Sequence, residues 1–158
     1  MIRGVDKATS NVHIFSSHFF TALSDEGPQV VESWTAKKNI DIFQKKLVFI
    51  PINRSLHWSL AVLINPGAVV NAIEYHEDPD DICQNPEEKG LPCMVFLDSL
   101  KAHKKSWVYK HVRIWLNSEW KRLGKAQERE YEDPFKQNNF PVFDCRGECL
   151  PSFDSLKT

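Results

Sequence analysis

A histidine at the head of one apolar run and an aspartate at the foot of another could together activate a thiol. His57 opens the run HWSLAVLI and Asp98 closes CMVFLD. If the two runs are neighbouring strands, their ends meet at one edge of a sheet. There the carboxylate would accept the imidazole N–H, fix the ring's tautomer and stabilise its cation. A cysteine beside that imidazolium would lose its proton readily and attack a carbonyl. By residue type alone, plainer parts also fit: a satisfied structural histidine, and an aspartate serving as a turn or cap residue. Four cysteines, Cys83, Cys93, Cys145 and Cys149, could supply the thiol. Cys83 sits in an acidic stretch and reads as an exposed thiol, and Cys93 sits in a strand and reads as core. Cys145 and Cys149 have no further Cys or His partners in a zinc-like spacing, so no metal is expected.

The elements that must position these residues follow from periodicity. Asn11 to Leu23 reads as a helix with Phe15, Phe19 and Leu23 on one face. Ser24 to Gly27 breaks it, and Pro28 opens a second helix to about Lys37. Lys46 to Ile52, His57 to Ile64 and Cys93 to Ser99 read as strands, and their near-continuous apolar character suggests cover on both faces. Val69 to Tyr75 would extend or pair with the second strand after a turn at Asn65-Pro66-Gly67. Lys104 to Gly124 is the longest periodic segment. Its stripe is Val108, Val112, Trp115, Leu116 and Leu123, with Trp107 and Trp120 at the margins and a basic outer face. Lys136 to Asp144 reads as extended.

Glu77 to Lys89 holds six acids and one lysine, with two prolines, and reads as a solvated loop. The chain has 158 residues, 42% hydrophobic and 26% charged, with a net charge of −1. That suits one globular domain and selects neither nucleic acid nor an anionic membrane as partner. No stretch approaches the roughly 20 apolar residues of a membrane span. Met1 to Ser10 has no apolar signal core, so reduced thiols in a nuclear or cytoplasmic, non-secreted protein are expected. On that expectation the sequon Asn53-Arg54-Ser55 is a chance match.

VFIPINRSLHWSLAVLINPG (Val48 to Gly67) followed by VFLDSLKAHKK (Val95 to Lys105) resembles the SUMO/sentrin-specific cysteine protease family. That family carries an I-P-hydrophobic-N…HW-x-L strand pair and then an LDS strand end. HIFSSHFFTAL (His13 to Leu23) and VESWTAKKNIDIFQKKLVFIPIN (Val31 to Asn53) are also similar to it, so the likeness runs from about Val12 to Asp144. The resemblance implies a papain-like α+β core, a central mixed sheet flanked by helices. The catalytic domain would span 11–144, with an acidic insertion at 77–92 like that of the branch that trims poly-SUMO chains, and an atypical tail at 145–158. His57 would be the general base, Asp98 its orienting acid, and Trp58 a wall of the channel that admits a Gly-Gly tail. Trp34 would pack. The reaction would be hydrolysis after that Gly-Gly, with no cofactor. The partner would be SUMO or another ubiquitin-like modifier and its conjugates, and the chain a monomer that binds no nucleic acid and no membrane.

The chain departs from the family at the nucleophile. The family has a glutamine for the oxyanion hole and then G-x-DCG opening a helix, whose N-terminus favours thiolate. Here Asp144-Cys145-Arg146-Gly147 carries an extra arginine, and Gln137 lies farther upstream than the motif's glutamine. Cys145 is therefore either a degenerate nucleophile or part of an unrelated tail, with the family's nucleophile segment absent, and Gln137 is the candidate oxyanion donor. The family's earlier Trp-Leu segment has no counterpart, so by that pattern the core is incomplete at both ends. Three other functions remain open: an inactive relative that only binds a modifier, a protease for another modifier such as NEDD8, and an acyltransferase with the same triad.

Overall fold

The computed structural model describes residues 11–77, 90–126 and 131–144. The acidic stretch 78–89 with Cys83, and the tail 145–158 with Cys145 and Cys149, lie outside the described residues.

Among the described residues, short apolar runs separated by turn residues give five strands in the order β1-β2-β3-β4-β5. These are β1 Val12–Ile14, β2 Leu47–Arg54, β3 His57–Ile64, β4 Cys93–Leu97 and β5 Val142–Asp144. The central pairs β2–β3 and β3–β4 are antiparallel, and the outer pairs β1–β2 and β4–β5 are parallel. The sheet is mixed and the helices are separate from it, which is the expected α+β class. Among the described residues the α-helices are α1 His18–Glu26, α2 Pro28–Ala36, α3 Val69–Glu77 and α4 Lys105–Arg122. Gly27 joins α1 to α2 at φ 97, a left-handed backbone that suits glycine, and Pro28 starts α2 in its first turn. Gly124, at φ 69, ends α4.

Several segments differ from the sequence expectation: Ser24 to Glu26 stays in α1, which ends only at Gly27, and of Lys136 to Asp144 only Val142–Asp144 is strand, with a turn over 137–139 before it. Asn11 to Leu23 is not one helix: Val12, His13 and Ile14 form β1, paired with Leu47, Val48 and Phe49. The four-residue spacing of Phe15, Phe19 and Leu23 is real, but the edge of β2 recruits the β-branched start of the segment. Val69 to Tyr75 lies in α3, not a strand. Val69, Ala72 and Ile73 are buried at helical spacing, which an apolar run this short does not distinguish from a strand.

The core fills one face of the sheet. Val48, Ile50, Ile52, Ala61, Leu63, Met94 and Phe96 point into it from the strands. Phe19, Phe20 and Leu23 of α1, Val31 of α2, and Val108, Val112, Trp115 and Leu116 of α4 meet them. Phe15 stacks on Phe19 at 3.8 Å between centroids, and Trp115 sits edge-on to both. Trp34 packs edge-on to Phe19, as expected. The opposite face is not closed as the apolar runs suggested. Leu47, Phe49 and Pro51 are half-buried and Leu97 and Phe143 exposed, because among the described residues the core helices stand on the other side.

One charged residue sits in this core. Glu119 of α4 is buried and accepts from Thr35 Oγ1 of α2 at 2.5 Å, while Arg122 donates to both its oxygens at 2.9 and 2.6 Å. The bidentate guanidinium makes the burial tolerable and ties α2 to α4. Trp120, placed by sequence at the helix margin, is also buried.

These positions predict a contrast along one helix. Trp115→Ala should lower unfolding free energy by about 4 kcal/mol, the cost of emptying an aromatic core site. Its neighbour Ile114, 44% exposed, should lose less than about 1 kcal/mol on the same change. Urea midpoints of the two variants check this, and equal losses would contradict the packing described.

Candidate active site

The site begins at a hairpin. Arg54 and His57 pair across the end of β2–β3, leaving Ser55 and Leu56 as the turn. Their φ angles are 54 and 60, the left-handed backbone that matches strand twist in two-residue turns. Neither residue is glycine or asparagine, so the turn is strained. It is held from outside: Arg54 pairs with Asp25 of α1 at 2.8 Å and lies over the Trp107 ring of α4, 5.0 Å from its centroid.

Strand alternation then places the chemistry. Ala61 pairs with Phe96 across β3–β4, and both face the core. Counting by twos along each strand puts Ser59 and His57 on the same side as Ala61, and Asp98 on the same side as Phe96. Asp98 leaves β4 at the end where His57 enters β3. The two side chains meet, His57 Nε2 to Asp98 Oδ1 at 2.6 Å, with only 13% and 3% of their side chains exposed.

The remaining polar atoms are accounted for. Asp98 Oδ2 accepts the His103 backbone N–H at 2.8 Å. A carboxylate only accepts, so in the neutral ring Nε2 of His57 carries the hydrogen and Nδ1 keeps a free lone pair. Burial pushes the Asp98 carboxyl up. The amides of His103 and Ala102 and the His57 ring outweigh it and hold the group below the usual carboxylate range. His103 belongs to the cluster but was not singled out from the sequence. Its ring bonds Ser59 Oγ at 2.6 Å and the Arg54 carbonyl at 3.2 Å, with its centroid 4.9 Å from that of His57. Nothing in LDSLKAHKK marks this histidine apart from its lying five residues after Asp98. Beside the cluster opens a pocket of about 300 Å³, walled by Arg54, His57, His103, Lys104 and Trp107.

The other sequence candidates fall as follows. Trp58 lies on the face opposite His57 and is 58% exposed, so it is not a core aromatic. Gln137 is exposed in the turn before β5. The chain from it joins the sheet where the Met94 N–H meets the Pro141 carbonyl, at the start of β4 rather than at the Asp98 end. Among the described residues no hydrogen bond joins Gln137 to the pair. Cys93 is half-buried rather than core, and burial pushes its thiol up to about 11, the reverse of nucleophile activation. Cys145 lies just past the described residues. Asp144, the last of them, pairs with Phe96, two residues before Asp98, and is ion-paired with Lys105.

His57, Asp98 and His103 could also offer a metal ion one atom each, all within 4.8 Å. The hydrogen bonds already made fit a metal poorly. His57 Nε2 and Asp98 Oδ1 bond each other, and both His103 nitrogens are occupied.

With this geometry in view, residues 3–145 match the family model described as "Ulp1 protease family, C-terminal catalytic domain". The chain belongs to that family. It is 32% identical to probable ubiquitin-like-specific protease 2A of Arabidopsis thaliana, an alignment covering 85% of this chain and 19% of that protein. Mouse sentrin-specific protease 3 is 45% identical over 56 residues, 35% of this chain and 10% of that one. Among solved structures, one described as a de-sumoylating protease superposes with a TM-score of 0.61 at 24% identity, covering 94% of this chain and 48% of that one. The yeast Ulp1 protease domain in complex with SMT3, the yeast ortholog of SUMO, gives 0.53 at 20% identity, covering 86% and 48%. This chain thus spans 14–20% of the first four curated relatives and about half of the solved domains. The Ulp1 family is one of cysteine proteases, and the similarity in fold extends across the sheet and helices that hold His57 and Asp98.

The lowered Asp98 carboxyl makes a signed prediction. The stability it contributes is fully present above the unfolded value of about 4 and is lost as pH falls through the lower folded value. Asp98→Asn should therefore be less stable than the parent at pH 6, with the gap narrowing as pH falls below about 4 and closing only below the lowered folded value. Denaturant titrations across that range check it, and a gap independent of pH would contradict the assignment.

Proposed function

We propose that this domain hydrolyses the peptide or isopeptide bond that follows the C-terminal Gly-Gly of a ubiquitin-like modifier of the SUMO type. The observation that carries the reading is the buried His57–Asp98 pair at 2.6 Å in a chain of the Ulp1 family. Nδ1 of His57 takes a thiol proton while Asp98 holds the opposite nitrogen. The thiolate attacks the glycine carbonyl, and imidazolium returns the proton to the leaving amine. Water then cleaves the thioester with His57 as base. The nucleophile in this reading is Cys145, since β5 runs parallel to β4 and Asp144 already reaches the level of Phe96. Trp58, broad and exposed one residue after the base, is the wall against which the Gly-Gly tail runs.

In this reading the partial catalytic domain is 11–144 with its insertion at 77–92, completed by Cys145 from the segment that follows, and it acts as a monomer in the nucleus or cytoplasm. No helix among the described residues is long and apolar enough to cross a membrane. A second reading has its own support: a relative that binds the modifier without cleaving it. The extra Arg146 after Asp144-Cys145 and the placement of Gln137 away from the pair favour it.

A SUMO carrying a C-terminal thiol-reactive electrophile separates the two. The first reading expects a covalent adduct that is abolished by Cys145→Ser and formed about 100-fold more slowly by His57→Ala. A folded chain that binds SUMO and forms no adduct belongs to the second reading.

A further inference from the structure

The segment between Asp98 and α4 carries the amide that fixes Asp98, yet little else holds it. Ser99, Leu100, Lys101 and Ala102 are all exposed, Leu100 to 74%. Lys101 has a left-handed backbone at φ 52, and its N–H reaches only back to the Asp98 carbonyl at 3.2 Å. Apart from that bond and the Ala102 amide on the Asp98 carboxylate, both of which return to Asp98 itself, these four exposed residues have no anchor that would aim a further backbone N–H at a carboxylate oxygen.

His103 is the exception. It is the one residue from 99 to 103 that is not exposed, and both its ring nitrogens are bonded to the hairpin that carries His57. The Arg54 carbonyl can only accept, so Nε2 of His103 donates to it. Nδ1 is then bare and accepts the Ser59 hydroxyl. A neutral ring in this tautomer satisfies both partners, one of them a serine that is itself buried. The ring also lies against His57, 4.9 Å between centroids and at 60° between planes.

We infer that His103 is a positioning residue: its ring clamps the 99–103 loop to Ser59 and Arg54, which aims its own backbone N–H at Asp98 Oδ2 and so fixes the acid that orients His57. The inference rests on the reading of His57 and Asp98 as base and acid. It adds a fourth member to that pair's support, Ser59, whose hydroxyl is the loop's anchor on β3. The clamp explains why a loop with no apolar anchor ends in a defined place. It couples the two sides of the site as well, because Arg54 and Ser59 flank His57 in the same hairpin.

The test reads His57 directly and needs no turnover. In the whole chain with ¹⁵N-labelled histidine, ring nitrogen shifts report the His57 tautomer, and saturation transfer reports exchange of its Nε2 proton. The parent should show the Nε2–H tautomer with a protected proton. His103→Ala should raise the Nδ1–H fraction and speed exchange about fivefold or more, the scale of one lost hydrogen bond. His103→Gln, whose amide offers one donor and one acceptor, should restore most of the protection. Ser59→Ala should move the signals the same way as His103→Ala, and it decides the matter if His103→Ala does not fold. A merely structural role would lower the melting temperature and leave the His57 signals in place. That result, or a parent without the Nε2–H tautomer, overturns the inference. An absent electrophile adduct with His57 signals that respond as described removes the protease reading and leaves the clamp standing.

Discussion

The site depends on keeping a nearly buried carboxylate ionised at the end of a sheet. Asp98 can be there only because both its oxygens are bonded, one to His57 and one to the His103 amide. That requirement reaches outward. β3 and β4 must pair with Leu60 opposite Leu97, since a slip of one residue would turn His57 and Asp98 to opposite faces. The hairpin must hold a strained Ser55-Leu56 turn, and the Arg54 contacts to Asp25 and Trp107 hold it against α1 and α4.

The core supplies the stiffness this geometry needs. Phe15, just past β1, locks with Phe19 of α1 and Trp115 of α4, and α4 in turn carries Trp107 beneath Arg54. The second buried carboxylate, Glu119, is paired differently. A bidentate arginine and a threonine hydroxyl saturate it, leaving no free proton acceptor beside it. Asp98 instead pairs with an imidazole whose other nitrogen makes no hydrogen bond among the described residues. The first arrangement ties two helices together, and the second leaves the ring nitrogen that the proposed base would use, which is the physical difference between the two buried acids.

How far the sequence carried depends on the kind of signal. β3, β4 and α4 were legible because their apolar runs are long and interrupted at the ends by polar or turn residues. β1 was not, because three residues before a helix carry no period of their own and are recruited by β2. α3 was misread because an apolar run of its length fits either period. His57 and Asp98 were legible as a pair through HW and LDS, whereas His103 was not, since its role comes from a loop folding back on Ser59 and Arg54. Glu119 was hidden for a related reason: a charged residue on a helix reads as solvated until the guanidinium on the next turn is seen to cover it.

The most direct test is a double-mutant cycle on His57 and Asp98, each changed to alanine alone and together, read by denaturant unfolding at pH 7. A shared hydrogen bond to a buried carboxylate predicts a coupling energy of about 1–3 kcal/mol between the two sites. Additive effects, with no coupling beyond error, would mean the two side chains are not joined in the folded protein, and the account of the site would fail with them.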